Sequence, residues 1–118
     1  KSCPEGEKIF GTGSSGDEIF FIRRGIVRIM LPLDQQKMLH LVSFGRGDFF
    51  GDMSFVDFET RSADAVAETE TDLFILSRSA FDRLMAADPE LGAEFYSNLS
   101  RSLALRFRNT HMQLRALD

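Results

Sequence analysis

The sequence holds few of the residues from which metal centres and disulfide frameworks are built. Among its 118 residues there is one cysteine, Cys3, and there are two histidines, His40 and His111. A lone cysteine forms no internal disulfide, and a cysteine-rich zinc site needs several thiolates, so both are excluded. Two histidines far apart in the chain argue against a centre with several imidazoles and against catalysis by a histidine pair. We therefore expect no bound metal, no catalytic residue and no enzymatic activity.

Aromatic side chains suited to stacking on nucleic acid are also scarce. There is no tryptophan and only one tyrosine, whereas the twelve phenylalanines suit a hydrophobic core. The 14 basic and 18 acidic residues leave a net charge of −4, which argues against a surface that binds duplex nucleic acid. No apolar run reaches the roughly 18 residues that a membrane-spanning helix needs. We expect a cytoplasmic domain without a nucleic-acid partner, because the lone cysteine also suits a reducing compartment.

What the chain does have, between residues 7 and 77, is a series of short apolar runs separated by glycine-bearing turns. This pattern predicts short antiparallel strands. We predict one domain over residues 1–118, mainly β with flanking α, in which a double-stranded β-helix (jelly roll) is closed by C-terminal helices. The predicted strands cover residues 8–10, 19–23, 26–31, 38–44, 48–50, 63–68 and 73–76.

From about residue 78 to 117 the apolar residues follow a helical period. A short helix with Phe81, Leu84 and Met85 on one side is predicted to end near Pro89, and a second helix to run from Glu90 to Leu117. So long a helix favours self-association, because one small domain leaves part of it uncovered. Since the chain begins inside a strand-like run, we also expect it to be a fragment of a larger protein. The predicted apolar stripe of the second helix comprises Leu91, Phe95, Leu99, Leu103, Phe107, Leu114 and Leu117.

The segment from Phe49 to Ala63 carries the chemistry. A strand ends at Gly51, a short helical turn follows, and Arg61 stands just before the next strand. The first amides of a helical turn have no partners of their own and bind anions, while an arginine supplies a charged fork for phosphate oxygens. Asp52 would repel a phosphate but can accept a hydrogen bond from a sugar hydroxyl. The segment therefore predicts a site for a phosphate ester of ribose.

Two motifs here, Phe50-Gly51-Asp52-Met53-Ser54 and Arg61-Ser62-Ala63, resemble the phosphate-binding cassette of the cyclic nucleotide-binding domain family. That family includes the catabolite activator, protein kinase A regulatory and cyclic-nucleotide-gated channel domains. The resemblance covers nearly the whole chain. The family pattern has glutamate where this chain has Asp52 and commonly alanine where it has Ser54. Both departures bear on affinity more than on fold.

The resemblance implies a non-catalytic regulatory module that binds cAMP or cGMP. It implies that Arg61 pairs with the cyclic phosphate, that the Ser62 hydroxyl assists, and that Asp52 engages the ribose. In relatives a residue of the closing helix caps the purine, which makes Arg106 or Arg108 the candidates here. The implied setting is the cytosolic sensor of a larger bacterial transporter, channel or signalling protein, in which the C-terminal helices move on binding. The implied ligand-binding residues are Phe50, Gly51, Asp52, Met53, Ser54, Arg61, Ser62 and Ala63.

Simpler interpretations accompany these expectations. A lone arginine after a loop is usually solvated or salt-bridged, and an aspartate at a helix start is favoured by the helix dipole alone. The Gly11–Gly16 segment is predicted to be a plain turn, and His40 a surface or hydrogen-bonded residue. The basic face of the last helix is consistent with simple solvation. The alternative function is a degenerate jelly roll that binds no nucleotide and serves oligomerisation or docking.

Overall fold

The computed structural model describes residues 1–116, apart from the side chains of Gln35 and of residues 110–116. The chain divides after Arg78 into two compact units, Lys1–Arg78 and the residues from Ser79 onward. The boundary falls where strand-like periodicity gives way to helical periodicity in the sequence. The single domain over residues 1–118 stays a prediction.

The first unit consists of two four-stranded antiparallel sheets. One sheet has the strand order β1-β8-β3-β6 and the other the order β2-β7-β4-β5. This two-sheet arrangement confirms the predicted jelly roll, mainly β with helices after it. The strands are β1 (Ser2–Cys3), β2 (Lys8–Phe10), β3 (Glu18–Arg24), β4 (Val27–Pro32), β5 (Met38–Phe44), β6 (Phe49–Phe50), β7 (Asp64–Ala67) and β8 (Thr71–Ser77).

All seven predicted strands are present, each within two residues of its expected ends. Sequence periodicity missed β1, because two residues are too few to show alternation. Strand β1 is identified by its pairing with β8, in which Cys3 lies opposite Thr71 and is fully buried. A short 3-10 helix, Asp34–Gln36, occupies the loop predicted between β4 and β5.

The core between the sheets places the end of β6. Phe20 of β3 and Phe50 of β6 are cross-strand partners, and their rings stack with centroids 5.0 Å apart. Burying side chains of this size contributes roughly 1.5–3 kcal/mol each. Phe50 is therefore held firmly, and the chain that follows it leaves the sheet at a defined point. The buried core cluster comprises Cys3, Phe20, Ile22, Val27, Phe50, Ala65, Ala67 and Leu73.

Residues 1–116 also contain three α-helices: α1 (Asp52–Asp57), α2 (Arg78–Ala87) and α3 (Pro89–Ala116). The predicted helical turn after Gly51 and both predicted C-terminal helices are thus confirmed over the described residues. Within the second unit, Phe81 of α2 lies 4.9 Å from Phe95 of α3, measured between ring centroids. Among residues 1–116, no helix is long and apolar enough to cross a membrane.

The predicted apolar stripe of α3 is only partly buried. Leu99 is buried, but Leu91 is 42% exposed and Phe107 is 72% exposed. The stripe is therefore uncovered at these two positions. A helix of 28 residues is about 42 Å long, which exceeds what a small unit covers. Leu114 and Leu117 lie outside the side chains described.

Candidate functional site

Gly51 makes the sharp turn from β6 into α1. Its φ of 78° and ψ of 8° lie in the left-handed region, and it is the N-cap residue of the helix. A Cβ atom at this position would lie 2.9 Å from Nη1 of Arg61 and 3.0 Å from Cδ2 of Phe20. Only glycine meets both the backbone angle and the close approach without strain. The turn therefore brings the α1 backbone directly against the arginine predicted from the sequence.

The Arg61 side chain is buried at the start of α1. It is 4% exposed; Nη1 donates to the Gly51 carbonyl at 2.6 Å and Nη2 donates to the Glu18 carbonyl at 2.7 Å. The guanidinium also lies over the Phe10 ring, 4.3 Å from its centroid. These contacts offset the cost of burying a charge. The remaining Nε atom is buried and has no hydrogen-bond partner among the described residues.

Arg61 remains a cation in this setting. Burial lowers the pKa of Arg61 from its ordinary value, while the carboxylates of Glu18, Asp17 and Asp52 oppose that lowering. An arginine starts from a pKa so high that it stays protonated at neutral pH. The site thus holds a permanent positive charge, and the Nε–H of Arg61 has no acceptor among the described residues. The acidic residues near it disfavour any anion that Arg61 does not contact directly.

The predicted ligand residues of α1 differ in exposure. Asp52 is 5% exposed and Ser54 is buried, with its hydroxyl donating to the Thr60 carbonyl at 3.2 Å. Met53 points outward and is 63% exposed. The helix therefore turns Asp52 and Ser54 inward, and Met53 has only its backbone to offer a buried ligand.

The other predicted ligand residues flank this helix. Phe50 and Ala63 are buried, whereas Ser62 is exposed. The structure thus brings Gly51, Asp52 and Arg61 into one neighbourhood. The roles assigned to all of these residues stay predictions.

The loop from Gly11 to Gly16 braces the arginine, which sequence reasoning did not foresee. The turn itself is confirmed, but its backbone also forms two hydrogen bonds with Arg61: Gly13 N donates to the Arg61 carbonyl at 2.8 Å, and Arg61 N donates to the Ser14 carbonyl at 2.9 Å. Gly16 packs so closely on the cassette that a Cβ there would lie 2.0 Å from the Ser54 Cβ. Partners more than 35 residues apart leave no local signal in a sequence.

Asp64 is a second residue that sequence reasoning missed. Its buried carboxylate accepts hydrogen bonds from the backbone N–H and the hydroxyl of Thr12, at 2.7 and 2.9 Å, and lies 3.6 Å from the Lys8 ammonium. Burial raises the pKa of Asp64. The hydrogen bonds from Thr12 and the charge of Lys8 together lower it by more, so the pKa lies below its ordinary value. The available signal was an acidic residue at the start of a largely apolar strand.

One surface cavity of about 210 Å³ borders α1. Of the predicted ligand residues its lining takes in only Ser54, so it does not coincide with the surroundings of Arg61. Within the part of the chain that is described, no group of three or more His, Cys, Asp or Glu side chains is placed to hold a metal ion. The cavity lining comprises Ser15, Gly16, Asp17, Ser54, Phe58, Glu59, Thr60 and Arg78.

The candidate base caps lie on α3, in the second unit. Arg106 is half-buried and Arg108 is exposed. Their capping role stays a prediction. His40, in contrast, is hydrogen-bonded as expected, with its Nε2 atom 2.9 Å from the Ser43 hydroxyl.

Comparison with known proteins gives the family. The sequence profile of the cyclic nucleotide-binding domain matches residues 1–88, which is most of the chain. The chain belongs to the cyclic nucleotide-binding domain family. This match includes the whole of the segment from Phe50 to Ala63, so Gly51 and Arg61 of this domain fall within the family's characteristic sequence.

Known relatives of the domain agree with this assignment. It is 32% identical over 115 residues to the cyclic AMP receptor protein of Thermus thermophilus. This match covers 98% of this chain and 51% of the relative. It is 36% identical over 88 residues to a cyclic nucleotide-gated potassium channel of Rhizobium etli, covering 75% of this chain and 23% of the channel. The domain therefore spans about half or less of the length of these relatives.

A solved structure supports the fold. The crystal structure of a cyclic nucleotide-binding domain from Methylobacillus flagellatus superposes with a TM-score of 0.91 at 29% identity. The match covers 99% of this chain and 66% of that one. Both the family resemblance and the jelly-roll fold expected from the sequence are confirmed.

Proposed function

We propose that this domain binds cAMP or cGMP between Arg61 and α1, and that it acts as a regulatory module without catalysis of its own. The observation that carries the proposal is the Arg61 guanidinium, buried and charged, with its Nε–H unpartnered beside the start of a helix. A cyclic nucleotide carries a single negative charge on its phosphodiester. That charge can satisfy the buried Nε–H of Arg61, for which the described residues supply no acceptor.

The proposed phosphate contact leaves the existing hydrogen bonds of Arg61 in place. Both Nη atoms stay on the carbonyls of Gly51 and Glu18, which fix the plane of the guanidinium. The Nε–H then donates to a phosphate oxygen, and a hydrogen bond to a charged group contributes about 1.5–3 kcal/mol. Amides at Gly51, Met53 and Ser54 add donors, since the first amides of a helix lack intrahelical partners.

Asp52 is proposed to accept a hydrogen bond from the ribose 2′-hydroxyl. It occupies the first position of α1, is 5% exposed, and lies near enough to Arg61 for its charge to raise the pKa of Arg61. Its side chain is one methylene shorter than the glutamate of the family pattern, so a small shift of α1 or a bridging water must make up the difference. The exposed Ser62 hydroxyl is proposed to assist at the phosphate, and Arg106 or Arg108 to stack on the base.

The nature of two relatives guides the choice of ligand and setting. The Thermus thermophilus relative is named a cyclic AMP receptor, so cAMP is the first ligand to test and cGMP the second. The Rhizobium etli relative is a channel in which the matched region is about a quarter of the chain. We propose by analogy a cytoplasmic sensor within a larger protein, in which ligand binding shifts the C-terminal helices by its differential affinity for their two arrangements.

Calorimetric titration of cAMP and of cGMP into the protein tests the proposed function. We expect saturable binding of at least one nucleotide, and a loss of about 10- to 150-fold in affinity for Arg61→Ala, which corresponds to one charged hydrogen bond. Arg46→Ala, in the Gly45–Gly47 turn, is the matched control and should bind normally. Thermal unfolding of each variant checks that it is folded. Equal heats in Arg61→Ala and the unaltered protein, or none in either, would contradict the proposal.

The second candidate is a jelly roll that binds no nucleotide and serves oligomerisation or docking. It is favoured by exposed apolar residues on α3, where Leu105 and Phe107 face solvent, and by the Arg61 Nη atoms being already engaged by backbone carbonyls. Sedimentation velocity over a range of concentrations separates the two. Association that is unaffected by nucleotide, together with no calorimetric binding, would favour the second candidate.

A further inference from the structure

The Arg78 guanidinium contacts two aromatic rings at the C-terminal end of α1. Its guanidinium carbon lies 4.1 Å from the ring centroid of Phe55 and 4.3 Å from that of Phe58. Phe55 belongs to α1 and is fully buried, and Phe58 is the residue that follows α1. The attraction between a cation and an aromatic face grows when the pair is removed from water, as the burial of Phe55 and of the Arg78 Nη2 atom indicates here.

Phe58 needs such a contact to keep its position. Its φ of 64° places a bulky residue in the left-handed region, which is unfavourable for any side chain with a Cβ. Phe58 as a whole is 77% exposed, so core packing does not hold it. The Phe58 N–H donates to the Ser54 carbonyl at 3.0 Å, which closes the helix, and the guanidinium supplies the contact to the ring.

Arg78 is itself fixed at its backbone. Its N–H donates to the Asp17 carbonyl at 2.7 Å, and Asp17 follows Gly16, which packs against Ser54 of α1. The acidic residues that line the adjoining cavity, Asp17 and Glu59, are exposed. The backbone of Arg78 is thus fixed beside α1, because it is hydrogen-bonded to Asp17, which directly follows the Gly11–Gly16 loop that also contacts Arg61.

A helix of six residues depends on contacts at its ends. Isolated helices of this length do not form in water, so packing and hydrogen bonds must set the position of α1. At its N-terminal end Arg61 binds the Gly51 carbonyl, and at its C-terminal end Arg78 contacts Phe55 and Phe58. The two ends lie about 9 Å apart, so a shift at one end is passed to the other.

We propose that Arg78 is a positioning residue for nucleotide binding, which holds α1 through Phe55 and Phe58 so that Gly51 and Asp52 stay beside Arg61. This inference rests on the proposed function of the site. Arg78 makes no contact with the phosphate in this account. Its effect on affinity comes entirely from where it keeps α1.

Four single variants and one double variant test the proposal by two measurements. Arg78→Ala removes the contacts of the guanidinium with Phe55 and Phe58, and Phe58→Ala removes the second of them. Arg78→Lys keeps the charge but loses the flat delocalised group. Arg23→Ala is the control, because Arg23 lies 5.5 Å over the Phe74 ring and this pair involves no residue of the cassette. Calorimetry gives the nucleotide affinity. Amide hydrogen exchange of residues 52–57, measured without nucleotide, reports how firmly α1 is held.

We expect Arg78→Ala and Phe58→Ala to weaken nucleotide binding about 5- to 30-fold and to speed exchange over α1, with a smaller effect for Arg78→Lys. The Arg78→Ala/Phe58→Ala double variant should be at most about twofold weaker than Arg78→Ala, because both changes remove the same contact. Arg23→Ala should change neither quantity. If Arg78→Ala does not fold, Phe58→Ala and Arg78→Lys carry the test.

Unchanged affinity in folded Arg78 and Phe58 variants would overturn the proposal while leaving the proposed function intact, provided that Arg61→Ala still weakens binding about 10- to 150-fold. Faster exchange over α1 with unchanged affinity would also overturn it, because Arg78 would then be structural only. If the unaltered protein binds neither nucleotide, the proposed function fails. Unchanged exchange in the variants would then show that Arg78 does not hold α1, and faster exchange would show that it does.

Discussion

At the scale of single residues, Gly51 is where backbone angle and side-chain packing impose the same requirement. Gly51→Ala should destabilise the fold for two reasons. The alanine must adopt a left-handed backbone conformation, and its Cβ would lie 2.9 Å from Arg61 Nη1. Strain of this kind costs about 1–3 kcal/mol. Gly13→Ala is the matched control, since Gly13 has a φ of 86° and open space around its missing Cβ. Urea unfolding of both variants measures the difference.

We expect Gly51→Ala to lose at least about 1 kcal/mol more than Gly13→Ala, and to weaken nucleotide binding as well, because the contact with Arg61 adds to the shared strain. Equal losses in the two variants would mean that the close approach between Gly51 and Arg61 carries no energetic weight. That outcome would leave the left-handed backbone angle as the structural reason for glycine at this turn.

Asp64 makes stability depend on pH. Its pKa is lower in the folded protein than its ordinary value, because hydrogen bonds from Thr12 and the charge of Lys8 outweigh the effect of burial. A carboxyl group of this kind contributes fully above its unfolded pKa of about 4, and the contribution is lost as pH falls through the lower folded pKa. The urea midpoint should therefore drop as the pH is lowered from about 4 towards 3.

Asp64→Asn should reduce stability at pH 7 by about 1–3 kcal/mol and flatten the acid dependence. Asp72→Asn is the control, because Asp72 forms an exposed ion pair with Arg24 and such pairs contribute little. An acid dependence as steep in Asp64→Asn as in the unaltered protein would contradict the assignment.

The candidate residues Gly51 and Arg61 could be picked out from the sequence, but the residues that support them could not. Glycine before a helical turn and an arginine before the next strand are local signals, so Gly51 and Arg61 stood out in the sequence. Asp64 and Arg78 depend on partners brought together by folding, and neither Thr12 nor Asp17 is near its partner along the chain. Sequence patterns report spacing, and these contacts come from tertiary packing.

At the scale of elements, the Gly11–Gly16 loop and α1 pack without room for one more carbon. Gly16→Ala would place its Cβ 2.0 Å from the Ser54 Cβ, so one of the two segments must move. Forcing an extra carbon into a packed site costs about 1–3 kcal/mol. Gly45→Ala is the control, since its nearest neighbour would lie 4.0 Å from the added Cβ.

A second change checks that the loss in Gly16→Ala comes from this contact. Ser54→Gly removes the clashing Cβ, so the Gly16→Ala/Ser54→Gly double variant should lose less stability than the sum of the two single changes. Additive losses in thermal unfolding would show that the two segments do not press on each other.

Elements were predictable to the extent that they were long and regular. Strands β3, β4, β5 and β8 showed as apolar runs between turns, and both C-terminal helices as a helical period, whereas β1 has two residues and no pattern to detect. The stripe on α3 is partly uncovered, because periodicity shows which residues share a face and not whether another element covers it. Phe107 shares that face and is exposed.

At the scale of the whole molecule, the distribution of charge matters more than its total. The net charge of −4 argues against binding of duplex nucleic acid. It gives no information about the buried Arg61 cation, on which the proposed function rests. The family fixes the fold and makes nucleotide binding the natural proposal. The chain spans about half or less of its named relatives, so its output and partners remain proposals.

The most direct test of the central claim is an NMR titration that observes the Arg61 Nε–H signal in ¹⁵N-labelled protein, assigned by its loss in Arg61→Lys. On saturation with cAMP or cGMP we expect this signal to shift and to become protected from exchange with water, because the phosphate supplies its missing acceptor. Adenosine and guanosine, which lack the phosphate, should leave the signal in place. An unmoved Arg61 Nε–H signal with both cyclic nucleotides, or the same shift with the nucleosides, would contradict the account.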